Sequence, residues 1–132
     1  MCLISKNRFA KKAKTNIVCY KAYYYEGEGK YSAPFLRDIV DINKEVIKAE
    51  GVSFSFYKPY EKSVGYIHVF KYLLNNYKIK CYFGENNSPN IRIFRCIIPK
   101  GTKYHISTNG YEYCAKKIII KELMPSYKYD KL

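Results

Sequence analysis

The run Ile91-Arg-Ile-Phe-Arg-Cys-Ile-Ile98 constrains this chain more than any other stretch. Its apolar residues fall at both even and odd positions, the pattern of a strand covered on both faces. Pro99-Lys-Gly101 then breaks it, because proline fixes φ and glycine accepts the positive φ of a tight turn. A second strand is predicted in Tyr111 to Ile120, entered through Asn109-Gly110. That dipeptide suits a type I′ hairpin, in which both central residues have positive φ.

The rest of the chain is read around this core. Asn16 to Tyr25 is rich in β-branched and aromatic residues and is predicted to be the first strand. Val18, Tyr20, Ala22 and Tyr24 lie on one face, and Ile17, Cys19, Lys21, Tyr23 and Tyr25 on the other. Glu26 to Gly29 is a turn. A helix capped by Asp38 and ended by Gly51 is predicted from Ile39, Ile42, Val46 and Ile47 at helical spacing. Val52 to Tyr57 alternates as a half-buried strand. Ser63 to Phe70 reads as a short strand running into a second helix, Val69 to Tyr77, weakened at its end by Asn75-Asn76. Ile79 to Phe83 reads as a further strand and Gly84 to Asn90 as a polar loop. The expected fold class is therefore α+β, a single small domain over residues 1–132, mainly antiparallel sheet with two helices. Residues 1–15 form a basic arm and residues 125–132 an extension.

Charge bears on function. The formal net charge is +13, with six basic and no acidic side chains in residues 1–25, five and seven in 26–61, and thirteen and four in 62–132. The positive field belongs to the two ends of the chain, which are expected to meet in one sheet, and a field of that sign favours phosphate-bearing partners. A lysine-rich surface from an AT-rich genome gives the same count. The arm, with Lys6, Arg8, Lys11, Lys12 and Lys14, is either a solvated tail or a clamp on a polyanion.

Five cysteines at 2, 19, 81, 96 and 114 contain no C-x-x-C pair, and no histidine stands at zinc spacing, so neither metal nor cofactor is expected. Most sit in apolar runs as small buried hydrophobes, which fits a reducing compartment and a cytoplasmic location, that of the host if the chain is phage-encoded. No segment approaches the roughly 18 apolar residues of a membrane span, and no membrane partner is expected.

Three stretches carry a resemblance, over residues 63–123. Gly65-Tyr-Ile-His-Val-Phe70, Arg95-Cys-Ile-Ile-Pro-Lys-Gly-Thr-Lys-Tyr104 and Glu112-Tyr-Cys-Ala-Lys-Lys-Ile-Ile-Ile120 resemble a pattern in short, uncharacterised proteins of phages and gut bacteria. In those proteins a G-F-H segment precedes a helix and an I-P-K-G-T-x-Y turn precedes an E-Y-A-S-x-x-I-x-I strand. Asn16 to Lys21 is similar to their first strand. Here Ile67 is an extra residue, and Cys114-Ala115 replaces Ala-Ser. The resemblance implies a shared fold and no particular activity. Small phage proteins often sequester nucleotide signals, so it leans toward a nucleotide ligand.

Seven residues are candidates for a ligand site: Tyr66, His68, Arg92, Arg95, Lys100, Lys103 and Tyr104. His68 is a donor for phosphate or a base edge, or else a structural donor. Lys100-Gly-Thr-Lys103 has two ammonium groups, a hydroxyl and an open backbone, which suits a phosphate as well as a plain turn, but it lacks P-loop spacing. Arg92 and Arg95 have opposite parity, so one reaches a ligand while the other pairs with a carboxylate. The leading expectation is a non-enzymatic protein that sequesters a nucleotide in a basic, tyrosine-lined pocket, with completion across a homo-oligomer interface as an option. A nucleic-acid binder is the alternative. An NAD-using, ADP-ribosyltransferase-like enzyme would need Lys21, or His68, with Tyr66 and Glu112.

Overall fold

The computed structural model describes residues 3–4, 10–33, 39–41, 47–48, 61–62 and 66–125. In chain order its strands are β1 (Leu3–Ile4), β2 (Lys11–Lys12), β3 (Ile17–Gly27), β4 (Lys30–Ser32), β5 (Ile39–Val40), β6 (Ile47–Lys48), β7 (Glu61–Lys62), β8 (Ile67–Phe70), β9 (Ile91–Ile98), β10 (Lys103–Ile106), β11 (Glu112–Ala115) and β12 (Lys117–Leu123). Helix α1 spans Asn76–Phe83 and a 3-10 turn spans Ser88–Asn90. Among the described residues the fold is mainly antiparallel sheet with this one helix. Among the described residues no helix is long and apolar enough to cross a membrane.

β3 and β9 pair along their whole length, from Ile17 opposite Ile98 to Tyr24 opposite Ile91. The two-sided apolar pattern of β9 has the predicted consequence. Phe94, Cys96 and Ile98 join Cys19 and Tyr23 in one buried cluster, while Ile91 and Ile93 join Ala22 in another on the opposite face. Cys19 and Cys96 stand opposite each other as buried free thiols. Burial pushes the Cys96 thiol up to about 12 and raises Cys19 as well, so both behave as small apolar groups.

The main sheet has the order β2-β10-β11-β8-β3-β9-β12-β6, with β4 and β5 added beside β3. β3 and β8 touch at a single pair, Tyr20 opposite Phe70. The sheet thus divides into a centre around β3, β9 and β12 and a wing of β2, β10, β11 and β8. β11 and β12 lie three strands apart in this order, yet only Lys116 separates them in sequence. The sheet must curl to allow this, and its inner face, shared by Ile98, Ile118, Tyr113 and Ala115, is the larger core.

The second helix prediction falls in the wrong place. Val69 and Phe70 finish β8, and the helix starts at Asn76. Asn75, read as a weak end, is the N-cap: its Oδ1 accepts the Lys78 N–H at 2.8 Å. Ile79 to Phe83, predicted as a strand, is therefore helical, and Ile79, Tyr82 and Phe83 pack with Phe70 and Leu74 on the outer cluster. At the predicted helix from Asp38, Ile39–Val40 bridges β4 and Ile47–Lys48 bridges β12. These β-branched residues pair with open sheet edges, so tertiary pairing overrides helical spacing at both positions. The predicted strand from Val52 to Tyr57 and the extension beyond Pro125 lie outside the described residues.

The hairpin joining β10 and β11 also differs in kind. Gly110 alone has positive φ, at 78°, and its N–H donates to the Ser107 carbonyl at 3.1 Å. This is a turn closed by a left-handed glycine rather than a type I′ pair. Asn109 fills the loop instead, its Oδ1 accepting the Tyr111 N–H at 2.8 Å.

Candidate functional site

The basic arm is part of the sheet where it is described. Gly101, at φ 87°, turns the chain after β9 so that its N–H donates to the Ala13 carbonyl at 2.8 Å, while the Ala13 N–H donates to the Thr102 carbonyl at 2.9 Å. These bonds lay β2 on β10 with Lys12 opposite Lys103 and Lys11 opposite Tyr104. On the other side of β10, Tyr104 pairs with Ala115, and the next residue, Lys116, donates its N–H to the Lys103 carbonyl at 3.1 Å. Lys12, Lys103 and Lys116 therefore stand in a row across three adjacent strands. The row ends at Tyr66, whose ring centroid lies 4.2 Å from Lys116 Nζ.

Like charges placed directly opposite on neighbouring strands repel. Among the described residues, no carboxylate pairs with Lys12 or Lys103, whereas Arg95 pairs with Glu122. The exposed Lys14 and Lys100 lie near the same end of the wing. Such an arrangement is stabilised by whatever negative charge settles on it.

Two positions further along the same face lie His105, Cys114 and His68, paired across β10, β11 and β8. His105 is only 1% exposed, packs edge-on against Tyr66 with ring centroids 5.1 Å apart, and has Nε2 at 3.3 Å from the Tyr66 hydroxyl. Burial, and then the Cys114 thiol, push the Tyr66 hydroxyl up, which keeps it a neutral phenol. Cys114 stands between two imidazoles, a pairing of nucleophile and base by residue type, but it has no exposed surface from which to meet a substrate. Among the described residues, no group of three His, Cys, Asp or Glu could hold a metal ion.

Of the seven sequence candidates, the structure brings Tyr66, His68 and Lys103 to this face, with Lys100 exposed in the adjoining turn. Tyr104, of opposite parity, turns inward and packs edge-on against Tyr113 at 6.0 Å. The two arginines lie on β9, away from the wing. Arg95 Nε donates to Glu122 Oε1 at 2.8 Å. Arg92 donates to the carbonyls of Pro89 and Ile91 at 2.8 and 3.2 Å and lies over the Tyr25 ring.

The turn itself is not an open cradle for phosphate. Its N–H groups are engaged, Lys100 with Asn16 Oδ1, Gly101 with Ala13 and Thr102 with Pro99. Any anion held there meets ammonium groups rather than backbone. Lys21 and Glu112 also do not meet. Lys21 lies between Cys19 and Tyr23 on the inner face, whereas Glu112 pairs with Phe70 on the outer one and faces Asn109.

Lys116 is the residue that sequence reading missed; Lys12 was read only as one member of the arm. The signal was present, because a hairpin centred between Asn109 and Gly110 places Lys103 opposite Lys116. No protein-family model, curated protein or solved structure matches this chain.

Proposed function

We propose that this protein is a non-enzymatic binder of a phosphate-bearing polymer, a nucleic acid, which it grips along the Lys12-Lys103-Lys116 row. The observation that carries the reading is that row: three ammonium-bearing residues side by side on β2, β10 and the residue after β11, with the exposed Lys14 and Lys100 near its end. A polymer with regularly spaced phosphates neutralises several of them at once and releases its condensed counterions in doing so. The two arginines, each satisfied within the centre, take no part.

The test is fluorescence anisotropy of the full chain with a labelled oligonucleotide over a series of salt concentrations. Log affinity should fall linearly with log salt, with a slope of about −0.7 for each phosphate neutralised on a single strand. The Lys12→Gln/Lys103→Gln protein should show a shallower slope, and the Arg92→Ala/Arg95→Ala protein the wild-type one. An affinity that ignores salt, or a slope unmoved by the lysine changes, sinks the proposal.

A small second-messenger-type nucleotide is the second reading. It is favoured by Tyr66 and Lys116, which set a ring and an ammonium within one small area, and it suits the resemblance to phage proteins. A thermal shift with a cyclic dinucleotide that survives high salt would favour it over the polymer.

A further inference from the structure

Two tyrosines and two lysines stand at the end of the wing away from the lysine row, where β8 gives way to Lys71 and β11 begins after Tyr111. Tyr72 and Tyr111 are 54% and 56% exposed, and their ring centroids are 6.0 Å apart. Lys71 Nζ stands 5.4 Å from the Tyr72 ring centroid, and Lys78 Nζ 6.0 Å from that of Tyr111.

Single exposed aromatic residues are ordinary on a protein surface. Here two exposed rings stand side by side, each accompanied by an ammonium group. The backbone holds the outer end in place, since the Lys71 N–H donates to the Tyr111 carbonyl at 2.8 Å. Tyrosine offers a flat face for a base, and lysine offers a partner for the phosphate beside it. A duplex cannot use such faces, because its bases are already stacked on each other. Only a strand with unpaired bases brings both groups that the surface matches.

We propose that Tyr72 and Tyr111, flanked by Lys71 and Lys78, form a stacking track for the unpaired bases of a single-stranded nucleic acid. This rests on the nucleic-acid reading above and narrows it to single strands. The lysine row supplies attraction for any polyphosphate chain. The track supplies the preference for bases, so the two act on different parts of the same ligand.

The experiment compares three probes on the full chain at fixed salt: labelled oligothymidylate, a labelled hairpin duplex and inorganic polyphosphate in competition. Wild type should prefer oligothymidylate. The Tyr72→Ala/Tyr111→Ala protein, checked for native circular dichroism, should bind oligothymidylate about tenfold to a hundredfold more weakly, as expected for the loss of one or two stacked bases. Its affinity for polyphosphate and duplex should be unchanged, and the Tyr72→Phe/Tyr111→Phe protein, which keeps the rings, should bind like wild type. Unchanged oligothymidylate binding by the alanine protein, or an equal loss for all three probes, overturns the track and leaves the lysine row standing. Failure of every probe to bind wild type in a salt-dependent way overturns both.

Discussion

The centre of the sheet and its wing are both antiparallel, and both contain cations, but they treat them in opposite ways. Around β3 and β9 each cation is answered or enclosed. Arg95 has Glu122, Arg92 has two carbonyls and a tyrosine ring, and Lys21 is surrounded by Cys19, Cys96 and Tyr23. In the wing, Lys12 faces Lys103 and Lys103 faces Lys116. Among the described residues, the cations around β3 and β9 serve the fold, whereas Lys12 and Lys103 face a like charge. Position, not number, separates the two.

The difference can be tested by making comparable changes in both regions. The largest effect belongs to the centre. Ile93, fully buried on β9, should cost about 2–5 kcal/mol when changed to Ala, read as a lower urea midpoint with an unchanged slope. A loss under about 1 kcal/mol would mean that the centre is not the better-packed region.

Lys21→Met should go the other way. Desolvation lowers the Lys21 pKa from 10.5 to about 8, so the folded state resists charging this amine more than the unfolded chain does. The unfolded chain binds more protons between those values, and wild-type stability should therefore rise with pH through that window. Lys21 keeps some exposed surface, which reduces the cost. The methionine protein should be more stable by on the order of 2 kcal/mol at pH 7, with the gap closing toward pH 10.5. A gap that is constant with pH would show that packing, not charge, causes it.

Asn75→Ala removes the cap of α1 and should cost about 1 kcal/mol, with Asn75→Asp retaining most of the stability. Smallest is the wing counterpart of the lysine change. Lys103→Met relieves a like-charged pair and should move stability by only a few tenths of a kcal/mol, toward greater stability at low salt. Polyanion affinity should fall in the same protein, whereas Lys21→Met should leave it intact.

How much of this was legible in the sequence varies by region, for physical reasons. The parity of Asn16 to Tyr25 and the two-sided run of β9 report burial directly, and both are strands, paired with each other in the structure. The Asn75-Asn76 dipeptide was ambiguous, because the side chain that weakens a helix interior also caps a helix start. Ile39 and Ile47 belonged to a set at helical spacing, yet Ile39, Val40 and Ile47 carry strand-forming side chains, and only the open edges of β4 and β12 decide between the two. The place of Lys12 depends on bonds from Ala13 to Gly101 and Thr102, far apart in sequence, and no local pattern announces them. Arg92 and Arg95 were rightly put on opposite faces of one strand. Their partners, a 3-10 turn carbonyl and Glu122, were not foreseeable from parity.

The passage from β11 to β12 through Lys116 alone also limits what lengths this chain tolerates. One extra residue there would reverse the alternation of everything after it and turn Ile118, now fully enclosed, toward water. The polar loop from Gly84 to Asn90 can absorb insertions, whereas this corner has no slack. Natural variants should differ in length at the loop and keep the same spacing across the corner.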